Sequence, residues 1–226
     1  MIKTAAKRKK SPARPRGFQT VISLNRNPID RMGSEKLLGQ DETIFRKGQR
    51  AENIYKIEAG CVRTFIRYGN GRRLVVGLYF AGDYFGLEMH DKYRVSAETV
   101  TPTKMLVIGR KALNSRAATN VAVANGMLTL TNLELRRAQQ HSLILRLSAN
   151  ERVGQFLFEM KKLNSQNDRR NKKEVNLVMS RQDMADYLNL TIESVARALT
   201  QLKNVSAISL SSPRRIAIHI RKPMAA

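Results

Sequence analysis

The stretch from Ser180 to Lys203, SRQDMADYLNLTIESVARALTQLK, constrains the fold of this chain more than any other. Ser180 and Asp183 have the residue types and the spacing of a capping box at the start of a helix. Asn189 tolerates the left-handed conformation that ends a helix, a position more often occupied by glycine. Thr191 is a typical cap for a second helix, in which apolar residues return every three or four positions. Two short helices joined by a tight turn are therefore predicted, which is a helix-turn-helix.

Two charged residues on the second of these helices are candidates for contacting DNA bases. Glu193 and Arg197 are four residues apart, so both project from one face near the helix N-terminus. Glutamate can accept a hydrogen bond from cytosine, and arginine can donate two to guanine. The alternative is an ordinary ion pair within the helix, worth about 0.2–0.5 kcal/mol. Within a helix-turn-helix, we favour the base-contacting interpretation.

The charge of the chain agrees with a polyanionic partner. The 226 residues carry a net charge of +23, and residues 1–20 contain seven basic and no acidic residues. Such an excess is typical of nucleic-acid-binding proteins, although RNA or an acidic membrane surface would also suit it. We predict a disordered basic tail over residues 1–20 and double-stranded DNA as the partner.

Several other classes of protein are disfavoured by residues that the sequence lacks. No apolar run approaches the roughly 20 residues of a membrane span, and the N-terminus has no apolar secretory signal. The one cysteine, Cys61, excludes an internal disulfide and any cysteine-only metal site within one chain. No phosphate-binding glycine loop, metal-ligand cluster or nucleophile elbow is present. We therefore expect a cytoplasmic protein that is not an enzyme and has no cofactor.

The rest of the chain divides into segments with different patterns. Short apolar runs interrupted by glycines, with a hairpin signal at Asn70-Gly71, predict a β-roll or small barrel. The predicted domains are a tail (1–20), a β-roll (21–118), a long helix (119–147) and a C-terminal domain (148–226). In that last domain, we expect a helix at Glu151–Leu163, a loop at Asn164–Lys173 and a two-stranded wing at Ala207–Leu210 and Ile216–Ile220.

The long helix carries an apolar stripe at steps of three, four and seven residues. This pattern favours pairing with the same helix of a second chain. The alternative is burial against the β-domain of the same chain, and Met127, Leu130 and Leu133 widen the apolar face enough for both. The predicted dimer-interface residues are Val121, Ala124, Leu128, Leu135, Ala138 and Leu145.

This arrangement resembles the CRP/FNR superfamily of bacterial transcription regulators from about Val21 onward. The most specific similarities are the segments S-R-Q-D-M-A-D-Y-L from Ser180, the Thr191–Arg197 helix and G-D-Y-F-G-L-E from Gly82. They are most similar to the FixK-type branch, which controls low-oxygen respiration and nitrogen fixation. The resemblance implies an α+β fold with a cyclic-nucleotide-binding-like β-roll, a dimerisation helix and a winged helix-turn-helix.

The resemblance also implies roles for individual residues. It makes Glu193 and Arg197 the base readers of a homodimer on a palindrome with TTGA-like half-sites, and RNA polymerase a partner in activation. Residues at the helix N-termini would contact the DNA backbone, and two wing arginines are assigned to it by charge and position. The predicted backbone contacts are Ser180, Arg181, Gln182, Thr191, Arg214 and Arg215.

Departures from the family pattern limit the expected effectors. Gly86 is followed by leucine instead of glutamate, and Ser96-Ala97 is preceded by valine instead of arginine. Arg94 stands one position before the place of that arginine, and neighbouring residues of a strand point to opposite faces of the sheet. We therefore do not expect the protein to sense a cyclic nucleotide. The N-terminus has no cysteines for an iron–sulfur cluster. A further departure is Ala196 for a serine, which affects one base preference. Another is Ser206 in a turn usually built with glycine, where we expect either a strained turn or a different one.

Three alternatives stay open at this stage. Cys61 is a candidate redox switch, although a cysteine that opens an apolar strand is commonly an inert core residue. His90 and His141 are candidate haem ligands. The β-roll could bind another small-molecule effector that gates DNA binding. We favour a regulator that needs no effector and is controlled through its abundance.

Overall fold

The computed structural model describes residues 27–69, 71–167, 174–212 and 214–219. The predicted basic tail, residues 1–20, lies outside the described residues, as do the hairpin residue Asn70 and most of the predicted loop. Within the described ranges, the N-terminal half is built of strands and the C-terminal half mainly of helices, as predicted.

The N-terminal domain is a β-roll of two antiparallel four-stranded sheets that follow a short 3-10 helix at Pro28–Met32. One sheet has the order β1-β8-β3-β6 and the other β2-β7-β4-β5. The Asn70-Gly71 signal falls between β4 and β5, which pair as an antiparallel hairpin. The strands are β1 (Ser34–Leu38), β2 (Thr43–Phe45), β3 (Asn53–Ala59), β4 (Cys61–Arg67), β5 (Arg73–Phe80), β6 (Tyr84–Phe85), β7 (Ser96–Thr99) and β8 (Thr103–Gly109).

Aromatic rings fill the centre of the β-roll. Phe45 stacks on Tyr93 with ring centroids 3.7 Å apart, and Tyr55 stacks on Phe85 at 5.0 Å. Tyr79 packs beside Phe85 at 5.5 Å. All five rings are buried, so the space enclosed by the two sheets is occupied by side chains of the domain itself.

Three helices follow the β-roll, namely α1 (Arg110–Thr119), α2 (Val121–Ile144) and α3 (Ala149–Asn167). The long helix α2 packs on the β-roll through buried Val123 and Leu130. Arg137 strengthens this contact, because its Nη2 lies 2.7 Å from Asp83 Oδ1 and its guanidinium stacks over the ring of Tyr79. One face of α2 is therefore packed against the β-roll of its own chain.

The C-terminal domain contains α4 (Arg181–Leu188) and α5 (Ile192–Asn204), with strands β9 (Glu174–Asn176), β10 (Ile208–Leu210) and β11 (Arg215–Ile218). Two details of the prediction were wrong. The wing is a three-stranded sheet of order β10-β11-β9, because Val175 of β9 pairs with Ile216. Helix α3 also continues to Asn167, into the predicted loop. No helix in the described part of the chain has the length and apolar character of a membrane span.

One hydrophobic cluster connects the two halves of the molecule. It extends from Phe65 and Val75 of the β4–β5 hairpin, through Phe156 of α3, to Leu188 of α4 and Val195 of α5. The helix-turn-helix is thus packed against the β-roll as well as against its own domain.

Candidate nucleic-acid interface

The first helix of the helix-turn-helix begins at the predicted capping box. Ser180 Oγ accepts a hydrogen bond from the backbone N–H of Asp183 at 3.0 Å, and Asp183 Oδ2 accepts one from the Ser180 N–H at 3.2 Å. The helix ends at Asn189, whose φ of 52° and ψ of 50° are left-handed. Both local predictions are confirmed, and together they fix the turn that aims the next helix.

The second helix, α5, is capped by Thr191, whose Oγ1 accepts from the Ser194 N–H at 3.1 Å. Val195, Ala198 and Leu199 are buried, and they attach one face of α5 to the domain core. The opposite face of α5 is exposed to solvent.

Glu193 and Arg197 lie on that exposed face of α5. No ion pair within 4.0 Å joins them, although both belong to the described residues, so the ordinary intrahelical pair is not formed. Arg197 Nη2 instead donates to Ser194 Oγ at 3.3 Å. The pKa of Glu193 is lowered, chiefly by a hydrogen bond to its own backbone N–H and then by Thr191, which keeps the carboxylate ionised. Both charged groups are available to an external partner.

The predicted backbone-contacting residues surround the N-termini of α4 and α5. Ser180, Gln182 and Thr191 are exposed, whereas Arg181 is half-buried, and burial lowers its pKa. A groove of about 310 Å³ lies between α5 and the wing, and Arg181 and Lys203 contribute to its walls. The N-terminus of α4, helix α5 and the wing therefore border one basic surface.

The wing supplies two further cations and one strained residue. Arg214 and Arg215 are both exposed at the turn between β10 and β11. Ser206, which leads from α5 into the wing, has a φ of 55°. This is the left-handed region that favours glycine, so of the two expected outcomes the turn is the strained one.

A second exposed feature is the apolar stripe along α2. Val121, Leu128 and Leu135 are 75%, 61% and 56% exposed, and Ala138 is also exposed. Ala124 and Leu145 are half-buried. Nothing in the described residues covers the three large side chains, although a water-exposed apolar row of this length is unfavourable. Thr131 and Ser142, which the predicted stripe did not include, occupy the two remaining positions of the same heptad pattern.

The candidate redox cysteine and the candidate haem ligands lie in positions that disfavour those roles. Cys61 is buried, and burial, followed by the nearby Asp183 and Asp83, raises the pKa of its thiol well above the ordinary value. His141 stacks on Tyr187 at 4.1 Å, and its Nε2 lies 2.7 Å from the Tyr187 carbonyl oxygen. His90 is exposed. Among the described residues, no group of three His, Cys, Asp or Glu side chains is arranged to bind a metal.

Sequence reasoning missed the acidic side of α4. It assigned Asp183 only to helix capping and gave Asp186 no role, yet both carboxylates bind arginines of the β-roll. The partners are 110 and 113 residues away in the chain. A separation of that length has no signal in a single sequence.

Comparison with known proteins identifies both halves of the chain. A model of the cyclic nucleotide-binding domain matches residues 35–120, and a model of the Crp-like helix-turn-helix domain matches residues 151–225. Over 194 residues the chain is 39% identical to the nitrogen fixation regulation protein FixK of Azorhizobium caulinodans. This match covers 85% of this chain and 78% of that protein. Over 186 residues it is 29% identical to the transcriptional activatory protein AadR of Rhodopseudomonas palustris, covering 80% of this chain and 75% of that protein. The structure of FixK2 from Bradyrhizobium japonicum matches with a TM-score of 0.77 and 35% identity, covering 84% of this chain and 93% of the other.

Proposed function

Because the chain belongs to the CRP/FNR family of DNA-binding transcription regulators, we propose that it acts as a homodimer on a palindrome with TTGA-type half-sites and without an effector. Family membership confirms that the chain is a regulator of this type and not an enzyme. The palindrome, the dimer and the independence from effectors are the parts that we propose.

The observation that carries the proposal is that Glu193 and Arg197 lie on the exposed face of α5 and form no ion pair with each other. Two charged groups one helical turn apart, which form no ion pair with each other, match the acceptor and donor pattern of G·C base pairs. The exposed Ser180, Gln182 and Thr191 and the wing arginines surround them, and such groups contact phosphates in helix-turn-helix complexes. We therefore assign Glu193 and Arg197 to base recognition.

The stripe on α2 supports the homodimer. Val121, Leu128 and Leu135 repeat every seven residues and are exposed in the single chain, whereas the opposite face of α2 is buried against the β-roll. A second copy of the same helix would cover them by coiled-coil packing. A two-fold dimer would present two copies of α5 to the two halves of a palindrome.

The interior of the β-roll supports independence from cyclic nucleotides. Five aromatic side chains occupy it, and Leu87 replaces the glutamate that the family uses for a cyclic nucleotide. Arg94 points away from the interior, with 72% of its side chain exposed, and its Nε lies 3.1 Å from Glu88 Oε2. The groups that would bind a cyclic phosphate are thus absent or engaged elsewhere.

We further propose that the protein activates transcription in the cytoplasm through contact with RNA polymerase. We infer the activator role from the name of its relative AadR, a transcriptional activatory protein, and a role in nitrogen fixation from the name of FixK. Both assignments come from relatives and not from a feature of this chain.

A ligand-gated regulator is the second candidate function, because a cavity lies outside the β-roll. It has a volume of about 340 Å³ and lies where the end of β5, α2, α3 and α4 meet, with Leu133, Glu159 and Tyr187 in its walls. A ligand there would contact the β-roll and the DNA-binding domain together. A ligand that raised DNA affinity would have to bind the DNA-competent state more tightly.

Fluorescence anisotropy across a salt series tests the proposed function, with a TTGA-type palindrome, a scrambled duplex and no added ligand. The expected result is a clear preference for the palindrome at physiological salt. Arg197→Ala should reduce this preference by at least about 30-fold, since each bidentate contact contributes about 1–3 kcal/mol and a palindrome has two. Arg50→Ala removes the same charge from an 82% exposed side chain of the β-roll and should leave the preference unchanged. Equal, steeply salt-dependent binding of both duplexes by the unaltered protein would refute the proposal.

A further inference from the structure

The β4–β5 hairpin holds helix α4 through two arginines and two aspartates, which we call the interdomain clamp: Arg63, Arg73, Asp183 and Asp186. Arg73 Nη2 lies 2.6 Å from Asp183 Oδ1, and Arg73 Nε lies 2.7 Å from Asp186 Oδ2. The two carboxylates are three residues apart and face the same side of α4. One planar guanidinium therefore spans almost one turn of the helix, which a single point charge could not do.

Arg63 connects this pair to the body of the β-roll. Its Nη1 lies 3.4 Å from Asp183 Oδ1, and its Nη2 lies 3.0 Å from both Asp41 Oδ1 and Glu98 Oε2. Burial alone would lower its pKa, but Asp183, Glu98 and Asp41 outweigh burial and raise it. The side chains of Arg63, Arg73 and Asp183 are only 9%, 14% and 4% exposed, so salt screens the clamp weakly.

The clamp acts on the part of the domain that sets the direction of α5. Asp183 uses Oδ1 for the arginines and Oδ2 for the capping box of α4, so one carboxylate joins the β-roll to the helix start. Next to the clamp, Arg72 Nη2 donates to Asn189 Oδ1 at 2.8 Å, and Asn189 is the left-handed residue of the turn. The start of α4 and the turn before α5 are thus both attached to the hairpin.

We propose that Arg73 and Asp186 are positioning residues for DNA recognition, which hold α5 in its DNA-competent orientation without an effector. This inference rests on the proposed function. Apolar contact between the halves is non-directional, whereas paired charges with fixed geometry select one orientation. In that orientation Glu193 and Arg197 stay exposed. A palindrome requires two such helices at a fixed separation, so each must be fixed relative to its own α2.

The test compares Arg73→Gln with Arg50→Gln, which removes the same charge from an exposed position. Both full-length proteins are measured by anisotropy on the palindrome, on a single half-site and on a palindrome lengthened by one central base pair. If the variant keeps about one third of its α5 helices in the competent orientation, half-site affinity falls about threefold and palindrome affinity about tenfold. The preference for native spacing should also shrink, because loosely held helices tolerate a changed separation. Arg50→Gln should behave like the unaltered protein.

A role in stability alone would leave the spacing preference unchanged, and that result would overturn the inference. An increase in palindrome affinity would also overturn it, because the clamp would then hold the helix in an inhibited orientation. Arg73→Lys, which keeps the charge but cannot span both carboxylates, should be intermediate between Arg73→Gln and the unaltered protein.

Calorimetry on the same proteins separates folding from positioning. The unaltered chain should unfold in one transition, whereas Asp186→Asn should broaden or split it, because the two halves lose a shared contact. An unchanged transition would show that Asp186 does not couple the halves and would refute its part in the clamp. If the unaltered protein fails to prefer the palindrome, the proposed function fails. If it does prefer the palindrome but Arg73→Gln behaves like Arg50→Gln, only the present inference fails.

Discussion

Leu128→Ala should weaken the proposed dimer by about two orders of magnitude. Leu128 is 61% exposed in the single chain, so most of its side chain is free to be buried by a partner. The substitution removes three carbons, or about 2.4 kcal/mol of transfer free energy at about 0.8 kcal/mol per carbon. Scaled by the exposed fraction, this is about 1.5 kcal/mol for each protomer and about 3 kcal/mol for a symmetric dimer. A dissociation constant changes tenfold for every 1.4 kcal/mol or so, which gives a factor of about 100.

Sedimentation equilibrium at several protein concentrations, without DNA, measures this change directly. Leu143→Ala is the matched control, because Leu143 is a leucine of the same helix with 63% exposure. It lies outside the three- and four-residue steps of the stripe, so its loss should leave the dissociation constant unchanged. The two substitutions remove the same atoms from similarly exposed sites, and only their position on the helix differs.

Equal weakening by the two variants would refute the reasoning, because general apolar association would then be responsible. An unchanged dissociation constant for Leu128→Ala would be equally decisive against the stripe. A dimer that survived Leu128→Ala would need another interface. The assignment of Val121 and Leu135 to the dimer interface would then also be wrong.

Three further predictions concern stability and reactivity. Ser206→Gly should stabilise the protein by up to about 1 kcal/mol in chemical denaturation, because glycine adopts the observed φ of 55° without the steric cost of a side chain; a loss of stability would contradict this origin of the strain. Cys61 should resist alkylation in the native protein and react in denaturant, since it is buried and its raised pKa keeps it a thiol; rapid native alkylation, followed by mass spectrometry, would revive the redox switch. Burial lowers the pKa of His141 from its ordinary value of 6.5, so the unfolded chain takes up its proton more readily and stability is lost as the pH falls through 6.5. His141→Gln should flatten this part of the profile of melting temperature against pH, and an unchanged profile would exclude His141 as its source.

The helix-turn-helix was predictable because its determinants are local. The capping box at Ser180 and the left-handed residue at Asn189 each depend on residues within about one helical turn. The same holds for the exposed pair on α5, whose spacing alone places Glu193 and Arg197 on one face. At Ser206 the sequence indicated either a strained turn or a different one, because a residue with a side chain stands where the turn favours glycine.

Short or distant elements were not predictable. Strand β9 has three residues, too few to show an alternating pattern, and it is stabilised by pairing with β11 about 40 residues later. The interdomain clamp joins residues that are more than 100 positions apart, and each of them has an ordinary local explanation. Asp183 is a capping residue and Arg73 is a basic residue after a hairpin turn, so only the tertiary structure shows that they meet.

The composition of the α2 stripe is consistent with control through abundance. In the proposed function, a β-roll filled by its own aromatic rings does not respond to a cyclic nucleotide, and the proposed role of the clamp in fixing α5 leaves less for an effector to change. Under the proposed function, in which DNA binding needs no effector, the remaining variable is the concentration of dimer. The heptad positions of α2 alternate large Leu128 and Leu135 with Thr131 and Ala138, and small or polar residues at such positions lower coiled-coil stability. A weak dimer responds to total protein concentration where a tight one does not, because its dissociated fraction changes with concentration. A filled β-roll and a modest interface in the proposed dimer thus favour the same form of regulation, in which the amount of protein is the signal.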